Sequence, residues 1–444
     1  MDVLVLGGTI LGGTIDTVYV EKKGYGKSFP KYAFPVSKNG TFNDTLHLSY
    51  GYYNITAENK EYEIYLEPTF DLRLKLDLEK EIIGFTGTGQ KENDYLQRKK
   101  SLREETFHVD YYKYHAILNE NQFLITNDSV RTLYLDLLEQ SKIKNRIFVE
   151  LERKSILVDK VYNLMGFEIE KRLLTDAKEF EVSDSFPNPE ELLDINDHSF
   201  LDIPFFVVLL ANNHYYFLKD RVNLDTSTEI LKCTDCDLFN EYLNYMGSAL
   251  KNEKIRNAVT FLISKWTLGK AENIDAFYTS YESFNSDKDN LSYISKIYKN
   301  LKSNRGRDFL LNAPLKDIDD KPLTLKDFTG KYLYLDFWSS SCAPCIKEFP
   351  EFNELSDKLK GKNIEFIGIN ILDTKERWLG MIQKNDLRGV QLTIDKNTKF
   401  LDSLGVNGIP RYMMLDDVGN VLDFNAKRPS DPKTKSELLS LILE

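Results

Sequence analysis

Over the first 90 positions, apolar and polar residues alternate in short runs. Thr17-Val18-Tyr19-Val20, Thr41 to Leu48, Tyr52 to Ala57, Tyr62 to Leu66 and Phe70 to Leu76 each suit a strand with one buried face. Turn-forming segments, Ser37-Lys38-Asn39-Gly40 and Ala57-Glu58-Asn59-Lys60, separate them. This spacing predicts an antiparallel β-sandwich over residues 1–90. The period changes after Gly87-Thr88-Gly89. From Asn93 to about Ser303 the apolar positions recur at helical spacing, as in Leu133 and Leu137 or Tyr242, Met246 and Leu250. The pattern predicts an all-α region of several antiparallel helices over 91–306, broken at Phe186-Pro187-Asn188-Pro189. Its many Tyr and Phe residues are expected in the core. The polar stretch from Lys302 to Arg307 reads as a linker.

A third pattern fills residues 307–444. Lys331 to Phe337 is a buried-strand run. Cys342 to Lys360 is a helix with Phe349, Phe352, Leu355 and Leu359 on its apolar face. Ile364 to Ile369 is a strand, Lys375 to Lys384 a helix, and Thr398 to Leu404 a short helix. Tyr412 to Leu415 and Asn420 to Phe424 form a hairpin over Asp417-Val418-Gly419. A closing helix runs from Asp431 to Leu443, with Ser430 or Asp431 as its cap. Strands alternating with helices predict an α/β sheet covered on both faces.

The chain has 444 residues, enough for about three domains at roughly 150 residues each. No run of about 18 apolar residues is present, so no transmembrane helix is expected. The formal net charge is −11, of which −2 falls in Arg307 to Glu444 and −9 in the first 306 residues. A diffuse acidic surface disfavours nucleic acid, which needs clustered Lys and Arg. The first residues lack the basic and small-residue features of a signal peptide. Gly7, Gly8, Gly12 and Gly13 do not fit G-x-G-x-x-G, because position 9 is Thr, and no helical pattern follows. A nucleotide site is therefore not expected there, and a glycine-containing bend or bulge in a strand is.

The four cysteines form two C-x-x-C pairs, Cys233/Cys236 and Cys342/Cys345. Such pairs serve redox chemistry, metal binding or local disulfides. Residues 307–444 contain no His, which leaves zinc short of ligands at Cys342/Cys345. Neither a metal nor a cofactor is expected. Cys342 falls between a buried strand and a helix. At a helix N-terminus, unpaired N–H groups and the macrodipole stabilise a thiolate, the species that attacks disulfides. Pro344 lies in the first turn, where its missing N–H costs nothing. Cys233-Thr234-Asp235-Cys236 lacks the Pro and the preceding buried strand. It reads as a local disulfide, as two free thiols, or as a relay exchanging with Cys342/Cys345.

Residues 311–444 resemble the thioredoxin superfamily, and within it the TlpA/ResA-like thiol-disulfide oxidoreductases. Asp336-Phe337-Trp338 leading into Cys342-Ala343-Pro344-Cys345 carries the likeness. So do Lys347-Glu348-Phe349-Pro350, Gly405-Val406-Asn407-Gly408-Ile409-Pro410, and the extension Pro314 to Asp327. The resemblance implies Cys342 as nucleophile and Cys345 as resolving thiol, joined as a disulfide when oxidised. It implies Asp336 as a buried carboxylate that helps deprotonate Cys345, and Glu348 as an acidic neighbour of the site. Pro410 would be a cis-proline facing the disulfide, Ile409 would offer its backbone to substrate, and Trp338 would pack beside the motif. One departure is Ser341, where the family usually has Trp.

The whole order of regions looks like multidomain thioredoxin-like proteins of Bacteroidetes-type bacteria, on Gly84-Phe85-Thr86-Gly87-Thr88-Gly89 and Glu92-Asn93-Asp94-Tyr95-Leu96. That likeness implies work in the periplasm or at the outer-membrane periphery, with peripheral membrane association. Partners would be protein thiols and disulfides, plus a redox partner that recycles the site. The expected activity is thiol-disulfide exchange, the upstream regions positioning the partner. Alternatives are a binding or scaffold protein with a regulatory redox domain, and a peroxidase of the AhpC/TSA type, whose Pro-x-x-x-Thr-x-x-Cys pattern is missing.

Overall fold

The computed structural model describes residues 3–24, 31–58, 60–106, 111–226, 231–302, 310–394 and 408–443. The expected helix at Thr398 to Leu404, the segment Gly405-Val406-Asn407 and most of the Lys302 to Arg307 linker lie outside the described residues. The chain forms two compact units, Met1–Leu262 with Phe284–Asn290, and Ile263–Ser283 with Leu291–Glu444. Among the described residues no helix is long and apolar enough to cross a membrane.

The first unit opens with eight strands: β1 (Leu4–Leu11), β2 (Thr17–Lys22), β3 (Lys31–Pro35), β4 (Thr41–Leu46), β5 (Gly51–Ala57), β6 (Lys60–Leu66), β7 (Asp71–Asp77) and β8 (Ile82–Gly87). They make two four-stranded sheets, ordered β4-β1-β7-β8 and β3-β2-β5-β6. Alternation works as read: in β7, Leu72, Leu74 and Leu76 are buried while Asp71, Arg73 and Lys75 are exposed. Phe34 of one sheet meets Phe42 of the other edge-to-face at 5.8 Å. One pairing departs from the antiparallel expectation, since β1 runs parallel to β7.

The expected bend at the N-terminal glycines falls at Gly12 and Gly13, just after β1, where Gly12 takes a φ of 68°. Gly7 and Gly8 lie within unbroken ladders of β1. Their role is close approach: a Cβ on Gly7 would sit 2.6 Å from Arg73 Nη1, and one on Gly8 would sit 2.6 Å from the Leu74 carbonyl oxygen.

Helices follow: α1 (Gln90–Thr106), α2 (Tyr111–Ile117), α3 (Glu120–Gln140), α4 (Arg146–Leu174), α5 (Pro189–Leu192), α6 (Pro204–Asn212) and α7 (His214–Leu218). After them come α8 (Leu238–Ala249), α9 (Glu253–Thr267), α10 (Ile274–Phe284) and α11 (Lys288–Lys302). Asn119 starts α3 in a reciprocal capping box with Gln122, and Asp237 caps α8. Between α7 and α8 lies a two-stranded ladder that periodicity did not show, β9 (Leu224–Asp225) with β10 (Lys232–Cys233). The buried Asn93 amide ties α1 to the edge strand β6, accepting from the Tyr65 N–H (2.8 Å) and donating to the Tyr65 carbonyl (2.9 Å).

A cavity of 540 Å³ opens beside α1, α3 and α4 in this unit. On its wall the buried Glu152 carboxylate accepts from the Tyr52 hydroxyl at 2.5 Å and from Lys99 Nζ at 2.8 Å. Removing one partner of such a pair strands the other. Glu152→Leu is expected to cost about 3–5 kcal/mol, read as a lower urea midpoint. A loss under about 1 kcal/mol would mean that water reaches Lys99 freely.

The second unit is built on β11 (Leu315–Lys316), β12 (Pro322–Leu323), β13 (Tyr332–Trp338), α12 (Ala343–Lys358), β14 (Ile364–Asn370), α13 (Lys375–Asn385), β15 (Val390–Ile394), β16 (Arg411–Leu415), β17 (Val421–Asp423) and α14 (Thr434–Leu443). Its seven-stranded sheet has the order β12-β11-β15-β14-β13-β16-β17. β13, β14 and β15 are parallel, and β16 is antiparallel to β13. This is a mixed α/β thioredoxin-like sheet. Because side chains alternate, Leu333, Leu335 and Phe337 pack on one face with Ile367, Ile369 and Met413. Tyr334 faces the other way, against Phe352 and Leu355 of α12. Position 336 shares the parity of 334, so the strand turns one carboxylate toward the α12 side.

Candidate active site

β13 ends at Trp338, and α12 begins at Ala343 with Cys342 as its N-cap. Three serines bridge the gap, and a neighbouring loop holds them. Asp373 accepts from the Ser340 N–H (2.6 Å) and hydroxyl (2.5 Å), and Asn370 Nδ2 donates to the same carboxylate at 2.6 Å. Ser341 is exposed, its hydroxyl 3.0 Å from that of Ser339. The usual Trp position beside the sulfur is thus a small, wet side chain in this chain.

Cys342 and Cys345 are joined in a disulfide. The Cys345 N–H points at Cys342 Sγ, 3.2 Å away, so the first turn of α12 aims a donor at the sulfur that would carry charge. Exposure separates the two: Cys342 is 9% exposed and Cys345 is fully buried. Both pack with Trp338, Phe349 and Trp378, and Ile409 lies against the same cluster. Trp338 meets Phe349 edge-to-face at 5.1 Å. The Ile409–Pro410 peptide is cis.

Asp336 is buried, and among the described residues its Oδ1 has no hydrogen-bond partner. Burial first, then the charge of Glu348, push its carboxyl well above the usual carboxylate range; the Tyr412 hydroxyl and Arg428 oppose the shift. Glu348 is itself buried on α12. It accepts from the Ser430 N–H (3.0 Å) and hydroxyl (2.8 Å), with Arg428 Nη1 at 3.8 Å. Ser430, expected as a helix cap, therefore serves Glu348, and α14 starts only at Thr434. Cys342, Cys345, Trp338, Ile409 and Pro410 thus gather at one end of the sheet, with Asp336 and Glu348 on its α12 side.

Arg428, Ser430, Asp373 and Asn370 belong to this site without being legible in the motifs. So does Arg411, buried directly after Pro410, whose Nη1 donates to the carbonyls of Gly269 and Phe424, each at 2.9 Å. The other pair, Cys233–Cys236, is also a disulfide, and it lies in the first unit at the β9–β10 ladder. Together with Asp235 it is the one group of three metal-capable side chains found among the described residues, and its sulfurs are tied to each other.

Residues 301–442 match the Redoxin family. A thiol-disulfide oxidoreductase ResA of Bacillus cereus is 34% identical over 112 residues, 25% of this chain and 64% of the relative's length. ResA of Bacillus anthracis is 28% identical over 173 residues, 39% of this chain and 87% of the relative. A Bacteroides vulgatus protein described as a thiol-disulfide oxidoreductase, solved in solution, is 40% identical; the match covers 29% of this chain and 87% of that one, with a TM-score of 0.28. The chain thus spans a little under two thirds of the Bacillus cereus relative's length, and its upstream regions fall outside the Redoxin match. With a C-x-x-C disulfide at the helix start of a thioredoxin-like sheet, the C-terminal part of this chain is a Redoxin domain related to the ResA thiol-disulfide oxidoreductases.

Proposed function

We propose that the chain is a thiol-disulfide oxidoreductase acting on protein thiols and disulfides. The observation that carries this is the asymmetric disulfide: Cys342 keeps a small exposed area at the α12 N-terminus, and Cys345 keeps none. In the reductive direction, the Cys342 thiolate attacks a substrate disulfide. A Cys342–substrate S–S bond forms, the substrate S–S bond breaks, and the departing thiolate takes a proton. The ionised fraction of Asp336 accepts the Cys345 proton, and the Cys345 thiolate attacks Cys342 Sγ. The internal disulfide reforms and the second substrate thiol leaves. Two electrons pass from the dithiol to the substrate, and an external dithiol partner restores them; oxidation runs the same steps backwards.

Backbone groups at Ile409, beside the cis bond, would receive the substrate in extended form. The upstream regions would position that partner. Disulfide chemistry suits an oxidising compartment, and periplasm or outer-membrane periphery is the proposed location.

The deciding comparison is insulin against peroxide. With dithiothreitol as donor, the chain is expected to reduce insulin disulfides well above the dithiol alone, while leaving the rate of peroxide consumption unchanged. Catalytic peroxide consumption without insulin reduction would overturn the reading in favour of a peroxidase.

A further inference from the structure

Lys270 closes the short 3-10 turn Leu268–Lys270 that follows α9, within the second unit. Arg411 fixes this turn by donating to the Gly269 carbonyl at 2.9 Å, so the turn is bolted to the start of β16, directly after Pro410. Lys270 Nζ then stands over the same loop. A Cβ built on Gly408 would meet Lys270 Nζ at 3.6 Å, its one neighbour within 4 Å among the described residues beyond the adjoining chain. Gly408 precedes Ile409, which packs against the Cys342/Cys345 cluster. The ammonium is therefore two residues from the cis bond, on the strand of backbone that flanks the disulfide.

Among the described residues this cation has no carboxylate partner. Lys270 makes no ion pair among them, and the charged groups that face it are Arg411 and Arg428, both positive. Burial first, then those two guanidinium groups, push its pKa down to about 8. A half-buried cation beside two others is unfavourable in the free protein, and an incoming anion relieves it.

Resting on the exchange activity proposed above, we infer that Lys270 is a specificity-determining residue: it selects substrate segments that carry an Asp or Glu beside the reacting cysteine. The carboxylate would pair with Lys270 while the segment's backbone lies along Gly408 and Ile409.

The test uses the full chain and synthetic peptides with one internal disulfide. One pair carries Glu or Gln just before the reacting cysteine, and another pair carries them just after it. At pH 7 the Glu peptide of at least one pair is expected to be reduced about three- to tenfold faster in kcat/KM than its Gln twin. Each ratio is taken within one protein preparation, so any loss of folded fraction cancels. Lys270→Met is expected to bring the ratio to about 1, Lys270→Glu to invert it, and Lys270→Arg to keep it. The wild-type ratio should also fall as the pH rises through about 8, where Lys270 loses its proton, although the peptide carboxylate stays charged. Equal rates for both twins in both pairs, or a ratio that survives Lys270→Met, would overturn this inference while leaving the exchange activity standing. No reduction of any peptide or of insulin would overturn the exchange reading, and this one with it.

Discussion

Cys342→Ser is expected to abolish insulin reduction, with a loss on the order of 10³-fold or more, whereas Cys345→Ser should leave a protein that accumulates a covalent adduct. The two outcomes differ because the sulfurs differ in access. Cys342 is the N-cap of α12 and keeps some surface; Cys345 keeps none. Only Cys342 can meet an external disulfide, so without it no bond to the substrate forms. With Cys345 replaced, the first exchange still proceeds, and the mixed disulfide has no internal thiol to resolve it. Non-reducing electrophoresis and intact-mass measurement would show the adduct for Cys345→Ser and none for Cys342→Ser. The reverse pattern, with adducts trapped on Cys345, would overturn the assignment of roles.

Asp336→Asn is the second large effect, and it has opposite signs on rate and stability. Near neutral pH the resolving step should slow about 10²-fold, since the variant removes the carboxyl whose ionised fraction takes the Cys345 proton. Stability should rise. The folded-state pKa of Asp336 is raised above its unfolded value, by burial and then by Glu348. Between the ordinary carboxylate range near pH 4 and that raised value, the native state holds a proton that the unfolded state has released. Stability therefore falls as pH rises through this window, by about 1.4 kcal/mol per pH unit. Asparagine removes the slope, so the oxidised variant should exceed the parent at pH 7 by a margin that shrinks toward pH 4. Urea unfolding at a series of pH values measures this. Parallel curves for parent and variant would show that Asp336 is solvated and ionised in the native state.

Much of this site was legible through the family resemblance, because the motifs that carry it are local. Cys342, Cys345, Asp336 and Glu348 all lie within thirteen positions of one strand–helix junction, and Pro410 carries its own short motif. The groups that hold them had no such signal. Asp373 reaches Ser340 from the end of β14, Ser430 and Arg428 reach Glu348 from before α14, and Arg411 reaches back to Gly269. Each is a single polar residue in a segment whose spacing says nothing about chemistry. The fold shows the same division. Strands that alternate throughout, as β7 does, or over part of their length, as β5 and β6 do, were legible. β1 was not, because its glycine pair resembles a turn signal. Nor were β11 and β12, two residues each, too short to show any period.

Strand β1 has a further consequence, for assembly rather than chemistry. It lies between β4 and β7, and Val5 pairs in parallel with Asp71. That partner follows it by roughly 66 residues, a separation whose loop must close before the pairing yields any stabilisation. During synthesis β1 would leave the ribosome well before β7 exists, with an apolar face and an open hydrogen-bonding edge. The glycines at 7 and 8 make that wait less hazardous. They offer little side chain for a stray strand to pack against, and they admit Arg73 and Leu74 closely once β7 arrives.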